Sequence, residues 1–182
     1  NNMPNDKIDR AIKKGTGELD GVIYEEITYE GYGPGGVAII MDVITDNKNR
    51  SVADIRHILT KYKGNLGESG SVSWIFEKKG QIILSRKLND ENIVFESALE
   101  AGAEDFETDD DIFIISTAPE SLMQIRDTLE SKGYDISSAE IEMVPKTLQK
   151  LEGKESDIAL ELLNVLEDND DVNKLYSNFY FD

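Results

Sequence analysis

The sequence predicts an α+β fold built from two α/β sandwich domains, of which the second, ferredoxin-like domain is inserted in the first. Residues 71–145 show strand and helix patterns in the order β-β-α-β-β-α-β, which contains the split βαβ arrangement of ferredoxin-like folds. Two strands and a helix precede this stretch, and a helix and an aromatic strand follow it. We therefore expect a discontinuous α/β domain at 22–70 plus 146–182 and an inserted domain at 71–145.

The first domain is predicted to be organised around a glycine-rich turn between two strands. Four glycines and one proline in positions 31–36 permit positive φ angles and a tight reversal of the chain. Apolar residues alternate along the strand before the turn, and the strand after it is mostly apolar, as in a strand that helices cover. The predicted elements are strands at 22–30 and 37–45, a helix at 50–63 and, after the insertion, a helix at 156–166 and a strand at 174–181.

The inserted domain is predicted from short apolar strands separated by turn residues and two amphipathic helices. Trp74 and Phe76 would share one face of its first strand and fill its core. The alternative is that exposed aromatic residues of the sheet stack on single-stranded bases, although the RNP patterns of an RNA-recognition fold are absent. Its predicted elements are strands at 72–76 and 81–86 joined by a turn at 78–80, a helix at 90–101, strands at 106–108 and 112–117 joined at 109–111, a helix at 119–131 and a strand at 138–144.

The sequence contains a series of short motifs in a fixed order, namely Asn2-Met3-Pro4, Ala11-Ile12-Lys13-Lys14-Gly15-Thr16-Gly17, Tyr29-Glu30-Gly31-Tyr32-Gly33-Pro34-Gly35-Gly36, Thr45-Asp46-Asn47-Lys48-Asn49-Arg50, Gly64-Asn65-Leu66-Gly67, Gly70-Ser71-Val72 and Phe76-Glu77-Lys78-Lys79-Gly80. In these motifs the chain resembles one family, the YebC/PmpR group of bacterial probable transcriptional regulators. The mitochondrial translational activator of cytochrome oxidase subunit I belongs to the same group. The likeness is dense to about residue 80 and is looser, but collinear, to the end of the chain.

The resemblance implies a non-enzymatic regulator of gene expression in the cytoplasm, bacterial rather than mitochondrial. It implies that residues 1–21, with a short helix at 4–14, are the end of an N-terminal helical domain and a linker. In the family that domain is basic, and it would supply most of the affinity for nucleic acid. A DNA-binding transcriptional regulator is the first expectation, a ribosome-associated translation factor the alternative, and a small-molecule-sensing ferredoxin-like module the third.

The charge of the chain is strongly negative and unevenly distributed. The formal net charge is −18, yet residues 1–64 contain nine Lys and Arg against ten Asp and Glu, whereas residues 65–182 contain ten against twenty-seven. The second part would repel phosphate backbones unless a local positive patch overrides its field. Its acidity suits either a solvated surface or a face that docks a basic partner, such as ribosomal protein or a basic segment of the protein itself.

A group of cations in the near-neutral part is the candidate nucleic-acid-binding site. Lys48 and Arg50 would lie at the start of a helix capped by Asn47 or Asn49, where free backbone N–H groups and the helix dipole favour an anion. The opposing interpretation is scattered surface charge, and the matching family word at 45–50 gives the functional interpretation equal weight. The full predicted set is Lys7, Arg10, Lys13, Lys14, Lys48, Arg50, Arg56 and Lys63.

No pattern in the sequence predicts catalysis, a cofactor or a metal. His57 is the only histidine and has no indicated nucleophile or orienting partner, so we expect an ordinary helix residue. The run at 109–111 lacks the spacing of a calcium loop and suits a solvated turn. The glycine turn lacks the P-loop form and precedes a strand rather than a helix. The chain has no cysteine, and no apolar run approaches the ~20 residues of a membrane span.

Overall fold

The computed structural model describes residues 22–180 and confirms the predicted α+β class. In Cα packing the chain divides into two compact units, one that includes residues up to Phe76 and from Pro145 onward, and one that is Glu77–Val144. The helix predicted at 4–14 lies outside the described residues. No helix in the described part is long and apolar enough to cross a membrane.

In chain order, the described helices and strands are β1 (Glu25–Tyr32), β2 (Ala38–Thr45), α1 (Lys48–Lys61), β3 (Asn65–Leu66), β4 (Phe76–Ser85), α2 (Glu91–Ala101), β5 (Asp105–Thr108), β6 (Ile112–Thr117), α3 (Leu122–Ser131), β7 (Ile136–Pro145), β8 (Gln149–Lys150), α4 (Gly153–Asp168), β9 (Val172–Ser177) and β10 (Phe179–Tyr180).

The first unit is a four-stranded sheet with the strand order β3-β1-β2-β9, covered by α1 and α4. All pairings within this sheet are antiparallel, and β2 is an inner, almost wholly buried strand. The short strands β8 and β10 of the same unit form a separate parallel pair. Alternate residues of β2 point to one face because side chains alternate along a strand. The core on that face consists mainly of Ile39, Met41 and Val43 from β2, Ile55 and Leu59 from α1, and Leu162 and Leu166 from α4.

The predicted glycine turn joins β1 to β2 as a short 3₁₀ turn over Pro34–Gly36. Gly35 adopts a left-handed conformation with φ 66°, which glycine reaches without the steric cost of a side chain. The end of the chain holds the turn in place, since the buried side chain of Asn178 accepts the N–H of Ala38 at 2.8 Å. The most distant parts of the first unit are therefore tied together at this turn.

The second unit is ferredoxin-like, as predicted. Its strands and helices follow the order β4-α2-β5-β6-α3-β7, and the sheet has the strand order β5-β6-β4-β7. The strand β6 pairs antiparallel with both β4 and β5. Its core is formed by alternate residues of β4 and β6 against apolar residues of the two helices, namely Ile82, Leu84, Phe113, Ile115, Val94, Ala98, Ile125 and Leu129.

The predicted hairpin between 72–76 and 81–86 is wrong. Residues 76–85 form one continuous strand, and Ser73–Ile75 before it form a 3₁₀ turn. Gly80, assigned to a turn by the sequence, is not in a positive-φ conformation, and a Cβ on it would overlap the Thr117 hydroxyl. This glycine allows close packing of β4 rather than a reversal.

The predicted burial of Trp74 is also wrong, although Phe76 is buried. Trp74 belongs to the 3₁₀ turn and not to a strand, so it does not share a strand face with Phe76. Its residue surface is 68% exposed, whereas that of Phe76 is 4% exposed. An isolated exposed tryptophan in a well-packed unit is a feature that the fold itself does not require.

The glycine turn gives a stability prediction with a matched pair of variants. Gly35→Ala and Gly36→Ala both place a side chain at positive φ, at a cost of about 1–2 kcal/mol each. Only the Cβ at Gly35 would also overlap Leu151, a buried core residue, which adds about 1–3 kcal/mol of overpacking. Urea unfolding should therefore show the larger loss for Gly35→Ala, and equal losses would contradict the proposed role of Leu151.

Candidate nucleic-acid interface

The start of α1 is built by a side-chain cap. The Asn47 Oδ1 accepts the backbone N–H of Arg50 at 3.1 Å, which satisfies one of the free donors of the first turn. The backbone N–H of Asn47 in turn donates to the buried Thr45 hydroxyl at 3.1 Å. The cap predicted from the sequence is thus confirmed for Asn47, and it fixes Lys48 and Arg50 on the first turn of the helix.

The described cations of the predicted site are all exposed, but they do not form one row. Within residues 22–180, none of Lys48, Arg50, Arg56 and Lys63 forms an ion pair. Six residues of a helix turn about 600°, so Arg56 lies about 120° around α1 from Arg50. Lys63 follows the helix in a left-handed conformation with φ 62°. The other predicted cations, Lys7, Arg10, Lys13 and Lys14, lie outside the described residues.

The flank of α1 that carries Arg50 also carries His57 and Lys61. These residues follow Arg50 by seven and eleven positions, which places all three within about 40° of one another. All three are exposed, and Asp54 on the same flank reduces the net positive charge. Lys61 is absent from the predicted set, although its i+11 spacing from Arg50 places it on the same flank and could have indicated it.

A buried carboxylate of β1 organises the loop at 67–73, which follows β3. Glu30 is only 5% exposed, and its carboxylate accepts the backbone N–H groups of Gly70 (2.5 Å), Val72 (3.0 Å) and Ser73 (2.6 Å). The carbonyl oxygen of Glu30 also accepts the N–H of Gly67 at 2.8 Å. One residue of β1 therefore satisfies four backbone donors of the segment 67–73.

The environment of Glu30 stabilises its charged form. Burial alone raises the pKa of the carboxyl group, but the hydrogen bonds from the three backbone N–H groups outweigh it, so the pKa of Glu30 lies below its usual value of 4.5. From the sequence, Glu30 is predicted only as the last residue of the strand at 22–30 and as part of a family motif. One signal could have indicated a buried acceptor such as Glu30. It was the glycine- and serine-rich loop, whose backbone N–H groups had no predicted partners.

The same loop fixes the exposed Trp74. The carbonyl oxygen of Ser71 accepts two hydrogen bonds, one from the Tyr32 hydroxyl at 3.0 Å and one from the Trp74 indole N–H at 2.9 Å. Tyr32 belongs to β1, so the indole is connected to the sheet through a single carbonyl group. Its ring is thereby oriented while most of its surface stays accessible.

The acidic hairpin between β5 and β6 shows no metal-binding arrangement. Arg86 donates to the carbonyl oxygens of Asp109 and Asp110 at 2.9 and 3.2 Å and so closes the turn. Among the described residues there is no group of three or more His, Cys, Asp or Glu side chains that could hold a metal ion.

The two units differ in charge. The unit Glu77–Val144 contains seventeen Asp and Glu against six Lys and Arg. The described residues of the first unit, 22–76 and 145–180, contain fifteen against nine. The balance is closest to neutral in 22–64, where α1 lies.

These features define a class of protein: an α+β chain of two units, one of them ferredoxin-like, with exposed cations on one helix. The chain belongs to the TACO1/YebC family, because the family model described as "TACO1/YebC second and third domain" matches residues 24–179. This confirms the resemblance found in the sequence.

Relatives and a solved structure agree with that assignment. A "probable transcriptional regulatory protein" of Geotalea uraniireducens is 53% identical over 98% of this chain and 72% of its own length. One of Dictyoglomus turgidum is 54% identical with the same coverage. The crystal structure of the conserved hypothetical protein Aq1575 from Aquifex aeolicus superposes with a TM-score of 0.84 at 44% identity, over 99% of this chain and 74% of that one.

The Glu30 carboxylate gives a second stability prediction. In Glu30→Gln one carboxylate oxygen becomes an NH₂ group, which cannot accept a backbone N–H, so a donor that the native carboxylate satisfies loses its partner. We expect a loss of about 1–3 kcal/mol in the free energy of unfolding. The matched control is Glu26→Gln, an exposed position of the same strand that should change little.

The same pair of variants should differ in pH dependence. Because the folded-state pKa of Glu30 is lowered, its stabilisation is present above the unfolded value of about 4.5 and is lost as the pH falls through the folded value. The difference in the free energy of unfolding between the native protein and Glu30→Gln, measured in urea, should therefore shrink below about pH 4.5. A gap independent of pH would show that the loss does not come from the charged carboxylate.

Proposed function

We propose that this chain is the scaffold part of a non-enzymatic, nucleic-acid-associated regulator of gene expression of the YebC/PmpR type, and that the protein acts as a DNA-binding transcriptional regulator. Its relatives carry the name probable transcriptional regulatory protein, which supports the regulatory part of the proposal. The observation that carries the nucleic-acid part is the capped N-terminus of α1, with Lys48 and Arg50 exposed and without ion pairs among the described residues.

The start of α1 has the chemistry of a phosphate contact. Free backbone N–H groups and the helix dipole favour an anion there, and Lys48 and Arg50 add two charges that no described acid neutralises. Lys61 extends this surface along the flank of Arg50. Further contacts from the predicted set would come from Arg56, Lys63, Lys7, Arg10, Lys13 and Lys14.

These contacts alone support only weak binding. Each neutralised phosphate of duplex DNA adds about 0.9 to the slope of log K against log salt, and three or four contacts give little affinity in physiological salt. We therefore propose that a basic domain N-terminal to this chain supplies most of the binding energy. The name of the matched family model, which refers to a second and third domain, supports that arrangement.

A second candidate function is association with the ribosome as a translation factor. The observation that favours it is the acidity of the second unit, with seventeen acidic against six basic side chains. Such a unit repels phosphate but suits the basic surface of a ribosomal protein. Crosslinking the intact protein in cells, with DNA and RNA crosslinks counted separately, distinguishes the two functions.

The proposal predicts the effect of reversing two charges. In the protein that includes the preceding basic domain, Lys48→Glu with Arg50→Glu should weaken duplex DNA binding and lower the salt slope by about 1.8, as two phosphate contacts are lost. Fluorescence anisotropy at several salt concentrations measures both quantities. The control is Lys87→Glu with Lys154→Glu, an equal charge change at exposed positions outside the interface. Equal effects of the two pairs would show that net charge alone matters.

A further prediction concerns the division of work between domains. The 182-residue chain should bind duplex DNA only weakly at ~0.15 M salt, where charges are screened beyond about 8 Å, whereas the protein with its basic domain should bind. Anisotropy titrations of both forms with the same duplex test this. Tight binding by the 182-residue chain would overturn the proposed role of the preceding domain.

A further inference from the structure

Trp74 has the properties of a preformed contact residue. It is 68% exposed, yet its indole N–H is held by the Ser71 carbonyl, which Tyr32 of β1 also engages. Exposed aromatic side chains with a fixed orientation lose little conformational entropy on binding. The ring is therefore ready to contact a partner without rearrangement.

The loop that carries Trp74 offers no backbone site for an anion at the positions that Glu30 engages. The N–H groups of Gly70, Val72 and Ser73 all donate to the Glu30 carboxylate. A phosphate would have to displace a buried negative charge to reach them. What this part of the loop presents to a partner is thus the apolar face of the indole.

An exposed lysine lies on the segment that pairs with the residue after Trp74. The backbone N–H of Lys146 donates to the carbonyl of Ile75 at 2.8 Å, and Ile75 directly follows Trp74. The Lys146 side chain is exposed and forms no ion pair within residues 22–180. An exposed aromatic ring with a lysine on the neighbouring segment matches the two parts of one nucleotide unit, a base and the phosphate attached to its sugar.

We propose that Trp74 stacks on an unpaired nucleobase of a single-stranded nucleic acid and that Lys146 contacts the neighbouring phosphate. This inference rests on the proposed association with nucleic acid and specifies the form of the strand. A protein partner could also use an exposed tryptophan, but the lysine on the neighbouring segment and the sequence-tolerant stacking of bases on aromatic rings favour a nucleotide.

The chain offers a direct probe, because Trp74 is its only tryptophan. We expect single-stranded oligo-dT or oligo-rU, added to the 182-residue chain at low ionic strength, to quench at least half of the indole fluorescence at saturation. A duplex of the same length should quench little, since its bases are stacked on one another. Anisotropy of the same oligonucleotides, labelled with a dye, measures binding independently of the tryptophan.

Four variants separate the causes of binding. Trp74→Ala should weaken single-strand binding by about 5- to 150-fold, whereas Trp74→Phe, which keeps an aromatic face but lacks the indole N–H, should retain most of the affinity. Lys146→Ala should lower the salt slope for single strands by about 0.7. Leu148→Ala, another exposed apolar residue of the first unit, is the control and should change nothing. Thermal unfolding of each variant checks that the loop and the unit remain folded.

The outcomes distinguish this inference from the proposed function. Binding by anisotropy without quenching, or with equal affinity for Trp74→Ala, overturns the role of Trp74 and leaves the contacts of α1 standing. Absence of any single-strand binding by this chain at low salt overturns this inference, whereas the proposed function is decided separately by duplex binding of the protein that includes the basic domain. Quenching by a protein partner but not by oligonucleotides overturns the nucleotide assignment.

Discussion

The first unit depends on a buried carboxylate. Taking the charge of Glu30 out of water is unfavourable, and burial alone would raise its pKa. Three backbone N–H groups of the loop 70–73 more than offset this, and the carboxylate satisfies donors that would otherwise be buried without partners. A loop of glycine and serine, which has little tendency to hold one shape, thereby becomes a fixed extension of β1.

The second constraint is the distribution of charge. A chain with a formal charge of −18 can approach a polyanion only where its own field is weakest, and the described residues of 22–64 are close to neutral. Salt screens charges that lie beyond a Debye length of about 8 Å, whereas the proposed phosphate contacts of Lys48 and Arg50 act at short range. In the proposed function, a few cations on a capped helix would therefore determine where phosphate binds, without binding it tightly.

The periodicity of apolar residues was enough to predict the helices and the ferredoxin-like order of the second unit. Buried faces impose a spacing of 2 residues on strands and 3.6 residues on helices. The prediction was wrong at Gly80, where the glycine allows close packing against Thr117 and does not form a turn. The hairpin predicted there also placed Trp74 in a strand, whereas it lies in a 3₁₀ turn. Glu30 and its loop are about forty residues apart in sequence, and no local pattern reports such a pairing. Lys61 follows Arg50 at helical spacing, but the predicted set was extended from Arg50 to Arg56 and Lys63 instead.

Phosphate contacts and base stacking make different demands on a partner. The contacts proposed for Lys48 and Arg50 are to the phosphate backbone, so they would not distinguish promoter DNA from ribosomal RNA. An indole that stacks on a base needs an unpaired strand, which an intact promoter duplex does not offer and which loops of folded RNA do. The two candidate functions of this family therefore differ most in what they require of Trp74, a residue outside the cationic site predicted from the sequence.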